Sequence, residues 1–289
     1  MKKLFTLLAL TISFSMNAQV STNSTSPTGT YASAMGYSTT ASGDSSTAMG
    51  NGTTASGNES TAMGYDTTAS GDLSTAMGYL TTASGDYSVA MGIATTASGG
   101  SSTAMGYSTT ASGYYSTTMG YLTTASDYAS LVIGQYNSSG SSVTNNATSF
   151  NTANTAFVIG NGTASNAKSD AFKVMFNGDT TVSNDLTVSG DVNISSDARL
   201  KSNIVSLGST LSKLLQIDGK YYEMKGKQKI GVLAQEIKEV FPELVSEDDN
   251  EMLAVNYQGL IPVLINALKE QEDKISRLEN LVEKLISKK

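Results

Sequence analysis

Thr47-Ala48-Met49-Gly50-Asn51-Gly52-Thr53-Thr54-Ala55-Ser56-Gly57-Asn58-Glu59-Ser60 runs straight into Thr61-Ala62-Met63-Gly64, and the phrase keeps returning. Met35, Met49, Met63, Met77, Met91, Met105 and Met119 share one register fourteen residues apart, with Ile133 in the eighth place. A unit this short cannot bury an apolar face alone, so successive copies must stack into a solenoid. Within a copy, Thr-Ala-Met and Thr-Thr-Ala alternate and carry β-branched residues, and a Gly closes each run. That pattern predicts two strands and two turns per coil.

Successive strand residues face opposite sides, so Ala48 and Met49 cannot share a surface. A roll only two strands around has a narrow interior. The alanine rows Ala34 to Ala104 and Ala41 to Ala125 suit it. The methionine row is then left outside as a continuous apolar stripe, which predicts self-association about an axis along the solenoid. The alternative reading puts Met inside and Ala outside a monomeric roll.

Composition divides the chain in two. Residues 21–195 carry ten Asp/Glu and two Lys/Arg, net −8, whereas residues 196–289 carry fifteen acidic and fourteen basic residues, net −1. No basic patch exists to neutralise phosphates, so no nucleic-acid partner is expected. Cys and His are absent, which removes disulfides, thiol nucleophiles, the usual zinc ligands and Ser-His triads. Neither a metal nor a cofactor is expected. Lys2 and Lys3, the apolar run Leu4 to Phe14 and the small residue Ala18 read as an export signal over residues 1–18. That run is too short to span a bilayer, and no later stretch is long enough.

The unit with Ala-Met-Gly and Thr-Ala-Ser-Gly resembles the head repeats of trimeric autotransporter adhesins of the YadA type. Ser88-Val89-Ala90-Met91-Gly92 and Ser130-Leu131-Val132-Ile133-Gly134 carry the likeness best. It implies a left-handed parallel β-roll in a homotrimer, with Met49, Met63, Met77, Met91 and Met105 at the trimer interface. Between the coils, Asp44, Glu59, Asp66, Asp72, Asp86, Tyr87, Tyr114 and Tyr115 vary from copy to copy at outward turns. Such positions read either as plain solvated turns or as places where binding could sit.

Residues 135–165 are rich in Asn, Ser, Thr and Gly, interrupted by Phe157-Val158-Ile159-Gly160, which looks like one more partial coil after an insertion. Ala171 to Phe176, Thr180 to Val182, Leu186 to Val188 and Val192 to Ile194 alternate apolar with polar and predict short strands. This run resembles the β-stem of phage tail spikes and fibres.

Ser196-Asp197-Ala198-Arg199-Leu200-Lys201 opens the last section. It resembles the start of the intramolecular chaperone domain of endosialidases and tail-fibre proteins. Ile230 to Glu236, Phe241 to Val245, Val255 to Tyr257 and Leu260 to Leu264 continue the resemblance in order. The resemblance implies autocleavage of the Ser195–Ser196 bond, with Ser196 as nucleophile and Lys201 as base, and Asp197, Gln235 and Glu236 in support. The chemistry is sound on its own terms. A serine hydroxyl needs a base, and without His a desolvated lysine is a reasonable candidate. From the pair alone, an exposed lysine and a helix-capping serine are the more ordinary explanation.

Leu264, Leu268, Gln271, Ile275, Leu278, Val282 and Leu285 are spaced alternately by four and three, a heptad seam. Leu268, Ile275, Leu278 and Val282 are expected at the subunit interface. β-branched a positions with Leu at d favour two strands rather than three. The attached domains are taken to set the number.

The expected fold is therefore mainly β with α at the C-terminus: a parallel β-roll of 14-residue coils, a short β-stem, and an α+β chaperone domain ending in a coiled coil, as a homotrimer. The boundaries are leader 1–18, linker 19–30, head repeats 31–134, partial coil and insertion 135–170, stem 171–195, chaperone domain 196–263 and coiled coil 264–289. The function expected is an exported cell-surface or extracellular adhesin or appendage, with a host or surface receptor, protein or glycan, as partner. The alternative is a phage-type tail fibre, which needs no export signal. No external substrate is expected, because carboxylates in the roll are sparse and single.

Overall fold

A computed structural model describes residues 22–248 and 251–288; the expected leader at 1–18 lies outside them. The chain forms two units, divided between Asp191 and Val192.

In the first unit each coil contributes one five-residue strand and one two-residue strand, as in Thr61–Tyr65 and Thr68–Ala69. The five-residue strands stack in parallel into a wide sheet and the two-residue strands into a narrow one. Identical residues pair without a register shift, Met63 on Met77 and Met91 on Met105. The alternation within each strand decides what is buried. Ala62 and Ala69 point inward and are buried, together with Thr67 and Ser74, while Met63 and Thr68 are only half-buried. Met therefore lies outside and Ala inside, and the alternative packing is not the one adopted.

Among the described residues, the interior leaves eleven Ser and Thr hydroxyls, Thr67, Ser74 and Thr81 among them, without a hydrogen-bond partner. Buried unpaired hydroxyls oppose folding, so the stabilisation comes from the backbone ladders, whose intercoil bonds such as Thr68 N–H to Thr81 O are 2.8 Å long. Glycine is what lets coils approach this closely. A Cβ on Gly78, whose φ is +129°, would stand 2.0 Å from the Gly92 carbonyl oxygen.

Towards residue 135 the core enlarges. Thr118 replaces the column alanine and its Oγ1 hydrogen-bonds Oγ1 of Thr123 at 2.7 Å; Val132 and Val158 then pack with Ala125. The partial coil expected around Phe157 is present, since Thr155–Asn161 pairs in parallel with Leu131–Gln135 and sets Gly160 beside Gly134. Asp170–Met175 and Thr180–Val182 then extend the wide sheet antiparallel.

Side chains close the roll. Buried Asp127 accepts from the backbone N–H of Thr144 at 2.6 Å and of Thr155 at 2.8 Å. The Asn137 amide both accepts from Thr124 N–H and donates to Thr124 O, each at 2.8 Å, imitating the next strand of the narrow sheet. Both Asp170 carboxylate oxygens are engaged, by Ser138 N–H and Ser139 N–H.

The expected stem strands at 186–188 and 192–194 differ from what is found. Leu186, Val192 and Ile194 are exposed and belong to no strand. Alternation only prepares a strand; it still needs a neighbour to pair with, and within one chain these residues have none.

The second unit contains two hairpins, Lys220–Met224 with Lys227–Gly231 and Val245–Glu247 with Leu253–Val255. Three helices join them: α1 (Leu211–Leu214), α2 (Ala234–Val240) and α3 (Leu260–Ile286). Its core gathers Ile237 from α2, Phe241 at that helix's C-cap and Val263 from α3, with Leu214 and Ile217 against them. Glu270 of α3 satisfies the first turn of α1. Its carboxylate accepts from Ser209 Oγ at 2.7 Å, from Thr210 N–H, and from Leu211 N–H at 3.1 Å.

Candidate active site

Asp197 starts a short 3-10 turn, Ala198–Leu200, and accepts from Arg199 N–H at 2.8 Å. The turn reverses the chain enough for five residues to close on themselves. Lys201 Nζ donates to Ser196 Oγ at 2.7 Å. The residues expected to serve as nucleophile and base are thus in direct contact, the first geometric requirement for a serine activated by lysine. Both residues are exposed.

The supporting residues are placed differently. Asp197 turns away from the lysine to pair with Arg199, 2.7 Å between charged atoms. The Arg199 side chain holds the Asp197 carboxyl below the usual carboxylate range and is itself raised in return. Glu236 of α2 lies 3.2 Å from Lys220 Nζ. Asp218 and then Glu236 raise that lysine's pKa. Gln235 lines a different groove, of about 340 Å³, with Tyr222, Met224 and Tyr257. Within one chain, Glu236 pairs with Lys220 and Gln235 is exposed at its own groove, and neither lines the groove that holds Ser196.

What the residue-level reading missed is the floor beside Ser196. A groove of about 470 Å³ sets Val192, Ile194 and Ser196 against Asn256, Gln258, Gly259, Ile261 and Pro262. Asn256 is fixed there, since its N–H donates to Leu244 O at 2.8 Å and its Oδ1 accepts from Gly259 N–H at 3.1 Å. The signal was available: Val255-Asn256-Tyr257 and Leu260-Ile261-Pro262 stand out as motifs, and the fold brings Asn256, Ile261 and Pro262 to the groove beside Ser196.

The seam of α3 follows the heptad. Val263 and Ala267 are buried against the domain, whereas Leu268, Ile275, Leu278 and Val282 are all exposed along the helix. The methionine row is likewise uncovered, Met49 being 37% exposed and Met63, Met77, Met91 and Met105 half-buried. Among the described residues, no group of His, Cys, Asp or Glu could hold a metal. No helix among them is long and apolar enough to cross a membrane.

Comparison with known proteins follows the same division. Residues 28–53, 41–67, 55–79, 69–95 and 97–123 match the YadA head domain repeat, taken two copies at a time. Residues 196–246 match the chaperone of endosialidase. No curated protein matches the chain. Head-repeat sequence followed by endosialidase-chaperone sequence is the architecture to which the residues pointed, and the β-roll of 14-residue coils with its C-terminal helix is the fold that goes with it.

Proposed function

We propose that this chain is an exported, homotrimeric fibrous surface protein, an adhesin or appendage, whose C-terminal unit aligns three protomers and then cuts itself off between Ser195 and Ser196. The two family matches support the coarser statement, a trimeric fibre of surface or tail-fibre type. The observation that carries self-cleavage is the 2.7 Å contact between Lys201 Nζ and Ser196 Oγ.

In the proposed reaction Lys201, as the free amine, takes the Ser196 Oγ proton, and Oγ bonds to the carbonyl carbon of Ser195. The C–N bond breaks as Lys201 returns the proton to the Ser196 nitrogen, leaving an ester. Water then hydrolyses the ester to a carboxylate at Ser195 and restores the Ser196 hydroxyl. A lysine acts as base where burial favours its neutral form, so cleavage follows assembly, when neighbouring copies cover the pair. The exposed seam of α3 and the methionine row are the surfaces those copies would share. Trimerising first and cutting afterwards also makes the mature fibre kinetically stable, since it has lost its template.

Expression of residues 19–289 beside Ser196→Ala and Lys201→Gln variants, followed on denaturing gels, tests the reading. Fragments 19–195 and 196–289 are expected from the parent and neither from the variants. A parent that stays intact after light scattering shows it to be trimeric would refute self-cleavage. A parent that light scattering shows to be monomeric would refute the assembly as well.

A further inference from the structure

The turn that enters the wide sheet changes character along the roll. At the first turn position Asp44, Asn58, Asp72 and Asp86 form a ladder, each Oδ1 accepting a backbone N–H from the coil before, as from Asp72 N to Asp86 Oδ1 at 3.0 Å. The next residue in that column is Gly100, so the ladder stops. At the adjoining position the column reads Tyr87, Ser101, Tyr115. Two small residues therefore sit side by side between larger neighbours. The result is a slot of about 390 Å³ lined by Asp86, Tyr87, Ser98, Ser101, Tyr114 and Tyr115 around Gly100.

The slot is built rather than accidental clutter of mobile rings. Tyr87 and Tyr115 both have φ of 60°, and their N–H groups are tied to the coil before, to Asp72 O and Gly100 O, each at 2.8 Å. Tyr115 is buttressed edge-on by Tyr128 with ring centres 5.4 Å apart. Tyr114 is held by its N–H to Ala147 O at 2.8 Å, and its ring lies over Gly100, about 3.5 Å from where a Cβ would be. Two coils separate Tyr87 from Tyr115, about 9.5 Å of rise. All three tyrosines remain open, 62%, 45% and 57% exposed.

We propose that this slot binds a neutral hexopyranose, the end of a glycan chain. Tyrosine faces take the C–H face of a sugar ring, and the Asp86 carboxylate with the Ser98 and Ser101 hydroxyls takes its hydroxyl groups. The carboxylate selects against sialylated or sulfated sugars, which would bring like charge to Asp86. The proposal deepens the adhesin reading and rests on it for its setting, but the site lies within one roll and does not depend on cleavage.

Saturation-transfer NMR on the purified protein, with methyl glucoside, methyl galactoside, N-acetylglucosamine and sialic acid as probes, tests it. Transfer to at least one neutral probe and none to sialic acid is expected. Tyr115→Ala and Asp86→Ala should each weaken binding at least about tenfold. Gly100→Asp is the decisive variant, because it refills the slot and continues the ladder, so binding should vanish while the melting curve stays at or above the parent's. Tyr65→Ala, outside the slot, should bind as the parent does. No transfer from any neutral probe, or undiminished binding by Gly100→Asp, would overturn the proposal. Loss of binding with intact trimer and cleavage would leave the assembly reading standing, so the two can fail separately.

Discussion

Replacing Gly78 by Ala and Gly100 by Ala is the same chemical change in two different columns of the roll, with opposite outcomes expected. The Gly78 Cβ would meet Gly92 O at 2.0 Å at a φ of +129°. An ordinary carbon–oxygen approach is about 3.3 Å, so the coils must part locally by roughly 1.3 Å. That stretches the two flanking intercoil bonds, Ala94 N–H to Tyr79 O at 2.8 Å and Thr75 N–H to Ser88 O at 2.9 Å, beyond useful length. Two lost bonds at about 1 kcal/mol each and about 2 kcal/mol of backbone strain give a cost of about 4 kcal/mol. For a unit of this size that lowers Tm by roughly 8–16 °C. A Cβ on Gly100 meets only the Tyr114 ring, at ordinary contact distance, and its φ is unstrained. Gly100→Ala should therefore be neutral or gain about 0.5 kcal/mol by restricting the unfolded chain. Thermal unfolding followed by circular dichroism compares the two. Equal melting temperatures would show that carbonyl packing along the glycine column is not what constrains the coil spacing.

Asp127→Ala leaves the N–H groups of Thr144 and Thr155 unpaired and should cost about 3 kcal/mol, read as lost denaturant stability of the roll; an unchanged midpoint would refute its capping role. Ser209 and Thr210 hydrogen bonds depress the Glu270 pKa. Its contribution is therefore complete above the ordinary glutamate value of about 4.3 and is lost as pH falls through the lower folded value. Glu270→Gln should flatten that acid limb in a pH series of melts, and a slope equal to the parent's would count against the cap. In the proposed trimer, Met77→Glu with Met91→Glu sets charge into the buried row, so light scattering should report a lighter species; a mass unchanged from the parent's would remove the methionine row from the interface. Leu73 is 45% exposed with φ of 54°, so Leu73→Asn should stabilise the roll by about 0.5–1 kcal/mol, and a lower melting temperature would contradict it.

The fold was legible wherever a periodicity of two met a periodicity of fourteen. Ala48 and Met49 could be assigned to opposite faces before any coordinates, because strand geometry forbids them a common one. The partial coil at Phe157 was legible for the same reason. The strands at 186–188 and 192–194 were not, because alternation reports a face and says nothing about whether a neighbour exists to pair with it. At the candidate site Ser196 and Lys201 lie five residues apart, so a local turn suffices to join them. Asn256 and Gln258 reach the same groove through the fold, a relation that spacing cannot express. Gln235 and Glu236 stand in a motif, yet a motif fixes only sequence neighbours, and here those neighbours face Lys220 and Tyr222.

The end of the roll near residue 135 is finished by side chains, and this bears on assembly. Near residue 135 the last coil is closed by Asp127, Asn137 and Asp170 and by the strands through Val182. A stack of near-identical coils gains stability from each neighbour added, so it grows best from an end whose first coil is already satisfied. The finished end is also the one that precedes the endosialidase-chaperone sequence along the chain. Repetition carries its own hazard. In the proposed trimer the methionine row repeats over seven successive coils, so three rolls displaced by fourteen residues would still bury nearly the same surface. The repeats therefore cannot specify their own alignment. Only the parts that do not repeat can do so: the cap between Asp127 and Val182, and the domain with the α3 seam beyond it. On the proposed order of events these parts meet first, and the coils then zip towards residue 22 in a register the repeats could not have chosen.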